Sequence, residues 1–444
     1  MFIDRLLNSG KAKDWAICGV GVLAGDRRMR DVLVDQDFRY TLVERHPDGA
    51  TSARSIGSIV EYLFAPDNPQ RVIDKLADPA TRIVSLTITE GGYNTDDVTG
   101  RFNGTAADIL HDLGPAAAPR TVFGLVVAGL ALRRARGIEP FTVMSCDNLP
   151  GNGEVAKQAF TSFARLLNPE LAKWIEESVS FPNSMVDRIT PVTTDADREF
   201  VAREFGVVDA WPVLCEPFVQ WVLEDSFTLG RPPFEEVGVQ MVSDVAPYEL
   251  MKLRLLNGSH QAMAYSGYLL GHRLVHEAAS DPLIVSLMKR YMDNEASPTL
   301  VPVPGIDVDA YKATLLERFA NPFVRDTLAR LATDASDRIP KFVLPVVWDD
   351  LLRDVPVVAS AAVVASWAVF ALTVDEPAAP DRRQAAVAAA IARQANDGVG
   401  FLRDPELFGD LAEREAFAVL FSETYAAILR DGVTSALVEI LREE

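Results

Sequence analysis

The feature that constrains this chain most is a change of hydrophobic pattern near residue 243. Before it, short apolar runs at residues 15–21, 40–44, 82–88 and 141–146 alternate with helical segments. Such alternation is typical of a parallel sheet covered by helices. From residue 243 onward, segments with the 3.6-residue period of a helix dominate. We therefore predict an α/β domain over residues 1–242 and an all-α domain over residues 243–444.

The charge and cysteine content indicate which partners the protein is expected to bind and where in the cell it is expected. A formal net charge of -20 over 444 residues disfavours binding to nucleic acid and to anionic membranes, but admits small neutral substrates. The three cysteines lie far apart and no export signal begins the sequence, which predicts a cytoplasmic protein with reduced thiols. We expect a monomer or a weak oligomer.

One alanine-rich run, residues 355–374, is apolar enough to suggest a membrane span. It contains a proline and several hydroxyl residues, and no excess of Lys or Arg marks its ends. We therefore predict a helix buried in the core of the second domain.

The histidines and cysteines show no spacing typical of a zinc site. His272 and His276 are four residues apart, but the HExxH pattern is absent, so we interpret them as a surface or packing pair. The sequence predicts no metal site.

A polar group on one helix of the second half is the strongest candidate for chemistry. Taking about 100° per residue from Lys252, Glu249 lies at about 60° and His260 at about 80°. Asn257 lies at about 140°, so the four polar residues share one side of the helix. Two leucines fall on the same arc, which is therefore not simply a solvated face.

This pattern allows two interpretations. A lysine among leucines is partly desolvated and can serve as a base, and an asparagine can donate to a carbonyl or alkoxide oxygen. Alternatively, Lys252 extends to solvent from a helix that ends in an Asn257-Gly258 turn. Residues 145–153 form a polar turn after a predicted parallel strand, where ligands of open α/β sheets bind, but a plain turn explains them equally well.

Taken together, these stretches resemble the polyol-specific long-chain dehydrogenases over essentially the whole chain. The segments that carry the resemblance are residues 15–21, the Thr-Glu-Gly-Gly-Tyr-Asn turn at 89–94, Cys146-Asp147-Asn148, residues 187–191 and residues 252–260. The 89–94 turn looks most like the mannitol dehydrogenase branch. The resemblance implies a Rossmann-like domain that binds NAD, and zinc-independent interconversion of mannitol and fructose by direct hydride transfer. Hexuronate (fructuronate) reductase and arabinitol dehydrogenase remain alternatives within the family.

The resemblance also assigns roles to individual residues. It makes Lys252 the general base, with Glu249 as a proton relay and His260 orienting the substrate. Asn148 and Asn257 match the two asparagines that hold the reacting oxygen. The positions that match sugar-binding residues are Asp187, Arg330 and Arg338, the last standing where a lysine is expected.

The cofactor site has two interpretations. Gly19, Gly21 and Gly25 follow a predicted strand and Glu44 ends the next one, as in a dinucleotide fingerprint. The resemblance instead places Asp26 at the adenosine ribose, which favours NAD over NADP, and Glu90 beside the cofactor. We prefer Asp26 to Glu44.

Similar chains carry an additional segment of about forty residues that holds the first strand and the glycine-rich phosphate loop of the first βαβ unit. We therefore expect the first Rossmann strand to be missing from this sequence. Two hypotheses follow: the natural chain starts upstream, or the protein is a truncated, non-catalytic sugar-binding or interaction protein.

Overall fold

A computed structural model describes residues 1–96, 100–115, 117–374 and 379–442. The chain divides into two compact units. The first comprises Met1–Arg45 and Thr51–Ala246, and the second His46–Ala50 and Pro247–Glu444.

The strands lie in the first unit and form four small sheets. They are β1 (Ile17–Gly21), β2 (Tyr40–Arg45), β3 (Thr51–Ile56), β4 (Ile59–Phe64), β5 (Ile83–Leu86), β6 (Thr142–Ser145), β7 (Ser184–Asp187), β8 (Val213–Cys215), β9 (Gln220–Glu224) and β10 (Gln240–Val242). β1 pairs with β4, and β5 with β6, both in parallel. β2 lies between β3 and β8, and β9 lies between β7 and β10.

Two strand pairs depart from the predicted parallel arrangement. β2 and β3 are antiparallel, as are β7 and β9. β2 ends at Arg45 and β3 begins at Thr51, so the connection is far too short for the crossover that parallel neighbours need. The hairpin is therefore imposed by the length of the turn, which the apolar pattern alone does not reveal.

Eight helices of the first unit surround these sheets in the part of the chain that the structure describes. They are α1 (Phe2–Asn8), α2 (Arg27–Asp35), α3 (Pro69–Ala77), α4 (Ala107–Asp112), α5 (Val122–Ala135), α6 (Asn152–Leu167), α7 (Pro169–Ser178) and α8 (Asp195–Phe205). An extended core cluster packs β5 and β6 against α3, α5 and α6. α5 begins at Val122, because the Thr121 side chain caps it by accepting the Gly124 N–H at 3.0 Å.

The described regular elements of the second unit are helices, apart from one isolated β-bridge. Its helices are α9 (Ala246–Met251), α10 (Gly258–Leu269), α11 (Val275–Ala278), α12 (Pro282–Arg290), α13 (Val308–Phe319), α14 (Leu328–Ala332), α15 (Ala335–Phe342), α16 (Leu344–Leu351), α17 (Val358–Thr373), α18 (Gln384–Gln394), α19 (Pro405–Phe408) and α20 (Glu415–Arg442). α10 stops at Leu269, because Gly271 adopts a φ of 100° that a helix cannot continue through. Two π-helical segments, Lys252–Asn257 and Tyr291–Ala296, complete the unit.

Helix α17 lies in the core of the second unit, as predicted for residues 355–374. All residues from Ala359 to Phe370 are buried. Its first amides are capped by the buried Glu295 carboxylate, which accepts the Ala359 N–H at 2.6 Å and the Ser360 N–H at 2.8 Å. Among the helices of the described residues, none has the length and apolar character to cross a membrane.

Candidate active site

In the first unit, the candidate residues follow the carboxyl ends of β5 and β6. The last pair of this parallel ladder is Leu86 with Ser145, so the chain leaves both strands at the same edge. Asn148 comes three residues after β6, and Glu90 opens a single turn of 3-10 helix after β5. Both side chains are exposed at this edge, which is where ligands of open α/β sheets bind.

Asp147, the residue before Asn148, ties the two loops together. It is 7% exposed, and its Oδ1 accepts the Thr89 N–H at 2.8 Å. Its Oδ2 accepts the Ile88 N–H at 3.1 Å and the Tyr93 hydroxyl at 2.7 Å. The Asp147 carboxylate therefore fixes three groups of the loop after β5.

The loop that Asp147 holds is strained at Thr89. This residue has φ 64° and ψ 166°, a region occupied almost only by glycine, at a cost of about 1–3 kcal/mol. Such conformations persist where the surroundings enforce them, and here the Asp147 carboxylate fixes the Thr89 amide. The strain thus lies one residue before Glu90.

The buried side-chain amide of Asn152 fixes the start of α6 and the end of β6. The Asn152 side chain is 0% exposed and donates to the carbonyl oxygens of Asp147 at 2.9 Å and Ser184 at 2.7 Å. Ser184 begins β7, and Asp187, which is 7% exposed, ends it. The network therefore links the loop that carries Asn148 to the strand that carries Asp187.

Two of the three glycines of the apparent fingerprint, Gly19 and Gly21, lie on β1, and Gly25 lies in the turn of 3-10 helix after it. Gly19 and Gly21 pair with Tyr62 and Phe64 of β4. A Cβ on Gly19 would lie 2.6 Å from Cδ2 of the Tyr62 ring, so this glycine is needed for packing. This packing role favours the other interpretation, in which these glycines are not a phosphate loop.

Asp26 lies in the turn after β1 and is half-buried. Its Oδ2 accepts the N–H groups of Val22 and Leu23, both at 2.9 Å, whereas its Oδ1 has no hydrogen bond to another described residue. Glu44 is engaged differently: its Oε1 accepts from Arg188 at 2.8 Å and lies near Arg54 and Arg5. Burial would raise the pKa of Glu44, but these arginines, Arg188 foremost, hold it below its usual value.

In the second unit, the helix that carries Lys252 contains a π-helical turn. α9 continues through Lys252–Asn257 into α10 without a break, and in this turn the backbone bonds from i to i+5. Lys252 is 8% exposed, which confirms that it is largely withdrawn from water. The alternative of a helix that ends in an Asn257-Gly258 turn is wrong, since Gly258 has φ -61° and begins α10.

The π turn corrects the predicted positions around the helix axis. One inserted residue rotates everything that follows by about 100° relative to an ideal helix. Measured from Lys252, Asn257 then moves from about 140° to about 40°, and His260 from about 80° to about -20°. The insertion brings Asn257 and His260 closer to the side of Lys252 than a regular helix would. Glu249, which precedes the turn, is half-buried and keeps its predicted position.

Contacts on the far sides of the helix stabilise the π turn. A Cβ on Gly258 would lie 2.1 Å from the hydroxyl oxygen of Tyr291, so only glycine allows this approach. Arg254 donates to the Thr299 carbonyl at 2.8 Å and pairs with the Asp349 carboxylate at 2.7 Å. Tyr291 lies 33 residues from Gly258, and Thr299 and Asp349 lie 45 and 95 residues from Arg254, so the π turn is a product of tertiary packing.

His260 and the candidate sugar-binding arginines form a group of neighbouring charges. The His260 ring packs on Phe319 with 4.7 Å between centroids. Asp326 binds the Arg330 guanidinium through both oxygens. Burial would raise the pKa of Asp326, but the Arg330 hydrogen bonds and the nearby His260 charge lower it. Burial, together with the charge of Arg330, lowers the pKa of Arg338, whose Nη1 donates to the Leu331 carbonyl at 3.3 Å.

Within residues 1–96, 100–115, 117–374 and 379–442, no three His, Cys, Asp or Glu side chains group as metal ligands. His272 instead contacts Asp281 at 3.0 Å.

Two family models cover nearly the whole chain. The mannitol dehydrogenase Rossmann domain matches residues 1–236, and the mannitol dehydrogenase C-terminal domain matches residues 244–429. This chain belongs to the mannitol dehydrogenase family. It is therefore a polyol dehydrogenase, and both the predicted family and the predicted fold class are confirmed.

Individual members of the mannitol dehydrogenase family are similar over almost their full length. Mannitol 2-dehydrogenase of Aspergillus fumigatus is 45% identical over 98% of this chain and 89% of its own. A mannitol dehydrogenase of Saccharomyces cerevisiae is 43% identical over 99% and 89%.

Two solved structures are also similar. Pseudomonas fluorescens mannitol 2-dehydrogenase, in a ternary complex with NAD and D-mannitol, has a TM-score of 0.86 and 47% identity, covering 100% of this chain and 91% of that one. A D-sorbitol dehydrogenase in substrate-free form has a TM-score of 0.91 and 36% identity, covering 98% and 91%. NAD, the predicted cofactor, is thus present in a solved member of the family.

Sequence reasoning missed two carboxylates of this mannitol dehydrogenase family member. Asp147 was part of a recognised motif, but its partners Ile88, Thr89 and Tyr93 lie 54 or more residues away and give no local signal. Asp326 did carry a signal, because it stands four residues before Arg330, the spacing of a helical ion pair.

Proposed function

We propose that this protein interconverts D-mannitol and D-fructose with NAD as the cofactor, and that Lys252 is the general base of the oxidation. The observation that carries the proposal is the buried position of Lys252 on the π turn, on the same side of the helix as Asn257 and His260. Similarity to a mannitol 2-dehydrogenase solved with NAD and D-mannitol supports the substrate and the cofactor.

Lys252 is suited to accept the proton of the reacting hydroxyl. Burial disfavours an ammonium ion, so a lysine that is 8% exposed is more easily used in its neutral form. In oxidation Lys252 takes the hydroxyl proton, and in ketose reduction it returns one. Glu249, three residues earlier and half-buried, is the proposed relay between the lysine and water.

Asn148 and Asn257 are the proposed holders of the reacting oxygen. An amide N–H can donate to an oxygen that gains negative charge without itself ionising. The side-chain oxygen of Asn257 is buried and accepts no hydrogen bond from the described residues. A buried acceptor of this kind is costly unless a ligand hydroxyl satisfies it. His260, packed on Phe319, is proposed to orient the substrate.

Asp187, Arg330 and Arg338 are proposed to bind the remaining hydroxyl groups of the sugar chain. Asp187 offers an acceptor, and the arginines offer several donors in a fixed plane. Arg330 is 57% exposed, and its Nη1 makes no hydrogen bond to the described part of the chain. Arg338 replaces the lysine expected from the family and keeps the positive charge.

NAD supplies the hydride acceptor in oxidation. The residues present fit its adenosine ribose, because Asp26 keeps one carboxylate oxygen without a partner among the described residues. That oxygen can accept from ribose hydroxyls, and its charge repels a 2′-phosphate, which favours NAD over NADP. Glu90, on the loop that Asp147 holds, is proposed to lie beside the cofactor.

We also infer a cytoplasmic protein that works as a monomer or a weak oligomer. Cys18, Cys146 and Cys215 form no disulfide. Burial raises their thiol pKa values to about 11, about 12 and about 11 respectively, which keeps them protonated. Size-exclusion chromatography with light scattering and fractionation of cell extracts test these two inferences.

The activity is tested on protein expressed from its complete natural reading frame. NADH oxidation is followed with D-fructose, and NAD reduction with D-mannitol, D-sorbitol and D-arabinitol. We expect D-fructose reduction and a preference for D-mannitol among the polyols. Folded protein that turns over none of these substrates would refute the proposal and favour a non-catalytic, sugar-binding role.

A further inference from the structure

Asp326 holds one of the two candidate sugar-binding arginines through both carboxylate oxygens. Its Oδ1 accepts from Arg330 Nε at 2.5 Å, and its Oδ2 accepts from Arg330 Nη2. Oδ1 also accepts the Thr327 N–H at 2.9 Å. The Asp326 side chain is 14% exposed, so its carboxylate is held in place, unlike a surface ion pair between two mobile side chains.

The backbone at Asp326 is fixed as well. The Asp326 carbonyl accepts the Val275 N–H at 3.0 Å, and Leu274 and Thr327 form an isolated antiparallel bridge. The Thr327 hydroxyl caps α14 by accepting the Arg330 N–H at 3.2 Å. Both partners of the ion pair are therefore held at defined positions, and Arg330 keeps its Nη1 for another acceptor.

Asp326 also determines the charge balance around Arg330. It is the carboxylate that contacts Arg330 in the described part of the chain, and the charges of His260 and Arg338 lie nearby. Without it, Arg330 would lose its carboxylate partner and add an unpaired positive charge beside Arg338, whose own charge Asp334 and Asp337 partly offset. Such a pair attracts a carboxylate on a ligand, whereas a neutral polyol gains little from net charge.

We propose that Asp326 is a specificity-determining residue, which neutralises Arg330 so that the site accepts uncharged polyols and ketoses and disfavours sugar acids. This inference rests on the proposed function, because it assumes that Arg330 contacts the sugar chain. It also distinguishes the two candidate activities, fructose reduction and hexuronate reduction, by the charge of the substrate. The carbon chain of a hexuronate can match that of fructose, but its terminal carboxylate meets the Asp326 charge.

The test compares D-fructose with D-fructuronate, which has a carboxylate in place of a terminal hydroxymethyl group. For each, kcat/KM is measured for NADH-dependent reduction, and the dissociation constant of D-mannonate is measured by calorimetry. In Asp326→Asn, we expect the ratio of fructuronate to fructose efficiency to rise about tenfold, or about 1.4 kcal/mol. D-mannonate should bind more tightly, and Asp326→Glu, which keeps the charge, should resemble the parent.

Asp410→Asn is the matched control. Asp410 also pairs with an arginine four residues later, Arg414, at 2.6 Å in the same unit. This variant removes the same charge, and its substrate ratio should stay within about twofold of the parent, since an exposed pair contributes little.

Arg330→Gln gives an independent measurement if Asp326→Asn does not fold. It leaves Asp326 without its partner, so the ratio should shift further against D-fructuronate. An unchanged ratio in both variants, or an equal shift in Asp410→Asn, would overturn the inference while leaving fructose reduction intact. A parent enzyme that does not reduce D-fructose would overturn the proposed function, and the inference would fall with it.

Discussion

The Asp147 carboxylate accepts a 2.7 Å hydrogen bond from the hydroxyl of Tyr93, a residue 54 positions earlier in the chain. Tyr93 is 0% exposed, and its hydroxyl also lies 2.6 Å from Ser145 Oγ. Burial raises the pKa of Tyr93 and the Asp147 charge raises it further, so the phenol stays protonated and donates. The pair joins the strained loop that carries Glu90 to the residue before Asn148.

Tyr93→Phe should lower both stability and cofactor affinity. The change leaves the Asp147 and Ser145 oxygens short of a buried partner, which costs about 1–3 kcal/mol. The loop that presents Glu90 should then be less well fixed, so the dissociation constant for NADH should rise. Urea unfolding and fluorescence titration with NADH measure the two effects. Tyr425→Phe, on a half-buried ring without a hydrogen bond to the described residues, should change stability by less than about 0.5 kcal/mol.

Asp26→Ser should weaken the preference for NAD. Serine can still accept a backbone N–H of the β1 turn, but it no longer repels a 2′-phosphate. A charge repulsion of about 1–4 kcal/mol at contact predicts that the NAD/NADP ratio of kcat/KM falls by about tenfold or more. Glu44→Ala is the comparison, and it should lower stability through the loss of the Arg188 contact at 2.8 Å. If the ratio moves in Glu44→Ala and not in Asp26→Ser, Glu44 contacts the ribose.

Activity should persist in excess EDTA. In the proposed mechanism Lys252 takes the hydroxyl proton, so no metal ion is needed to stabilise the alkoxide by binding it. Rates of D-mannitol oxidation before and after prolonged dialysis against EDTA should agree. Loss of activity that zinc restores would contradict this mechanism.

Stability should depend on pH through the buried carboxyl of Glu295. Burial raises its pKa to about 7, against 4.5 for an ordinary glutamate, although hydrogen bonds from Ala359 and Ser360 favour the charged form. The folded state therefore binds the proton more tightly than the unfolded state. The stabilisation that protonated Glu295 contributes is fully present below about pH 4.5 and is lost as the pH rises through about 7. The total loss in the free energy of unfolding is about 3 kcal/mol.

Glu295→Gln tests this assignment. Glutamine keeps an acceptor for the first amides of α17 but does not titrate, so the fall in unfolding free energy between about pH 5 and pH 8 should flatten. Glu423→Gln, an exposed glutamate on α20, should leave the pH profile of the parent unchanged. A Glu295→Gln profile that is parallel to the parent would show that other groups cause the dependence.

The sequence predicts the elements of the fold better than their pairing. Apolar runs located β1, β2, β5 and β6 to within about two residues, because a buried strand needs such a run wherever it pairs. The antiparallel hairpin of β2 and β3 follows from a turn too short for a crossover. Pattern alone does not say which strand lies beside which.

The sequence also predicts the residues of the candidate site better than their arrangement. The helical period placed Glu249, Lys252 and His260 on one side of a helix, but it assumed a regular helix. The π turn depends on Gly258 packing against Tyr291 and on Arg254 reaching Thr299, and neither partner is local. The roles assigned by family resemblance remain predictions, and kinetic measurements on single variants test them.

Lys252→Ala is the decisive variant for the mechanism. Hydride leaves a secondary alcohol readily only as the hydroxyl proton departs, and a positioned base contributes about 10² to 10⁴ in rate. We expect kcat for D-mannitol oxidation to fall by at least that range, whereas NADH should bind as before because Asp26 and Glu90 are unchanged. The pH profile of oxidation should lose the ionisation of the base, and added small amines should restore part of the rate by occupying the vacated volume.

Arg254→Ala, which removes the contact with Asp349, tests whether disturbing the π turn alone has the same effect. It should lower kcat less, and amines should not rescue it, since the base is still present. If kcat of Lys252→Ala stays within about threefold of the parent, the fall is smaller than the loss of a positioned base should cause. Another residue would then accept the hydroxyl proton.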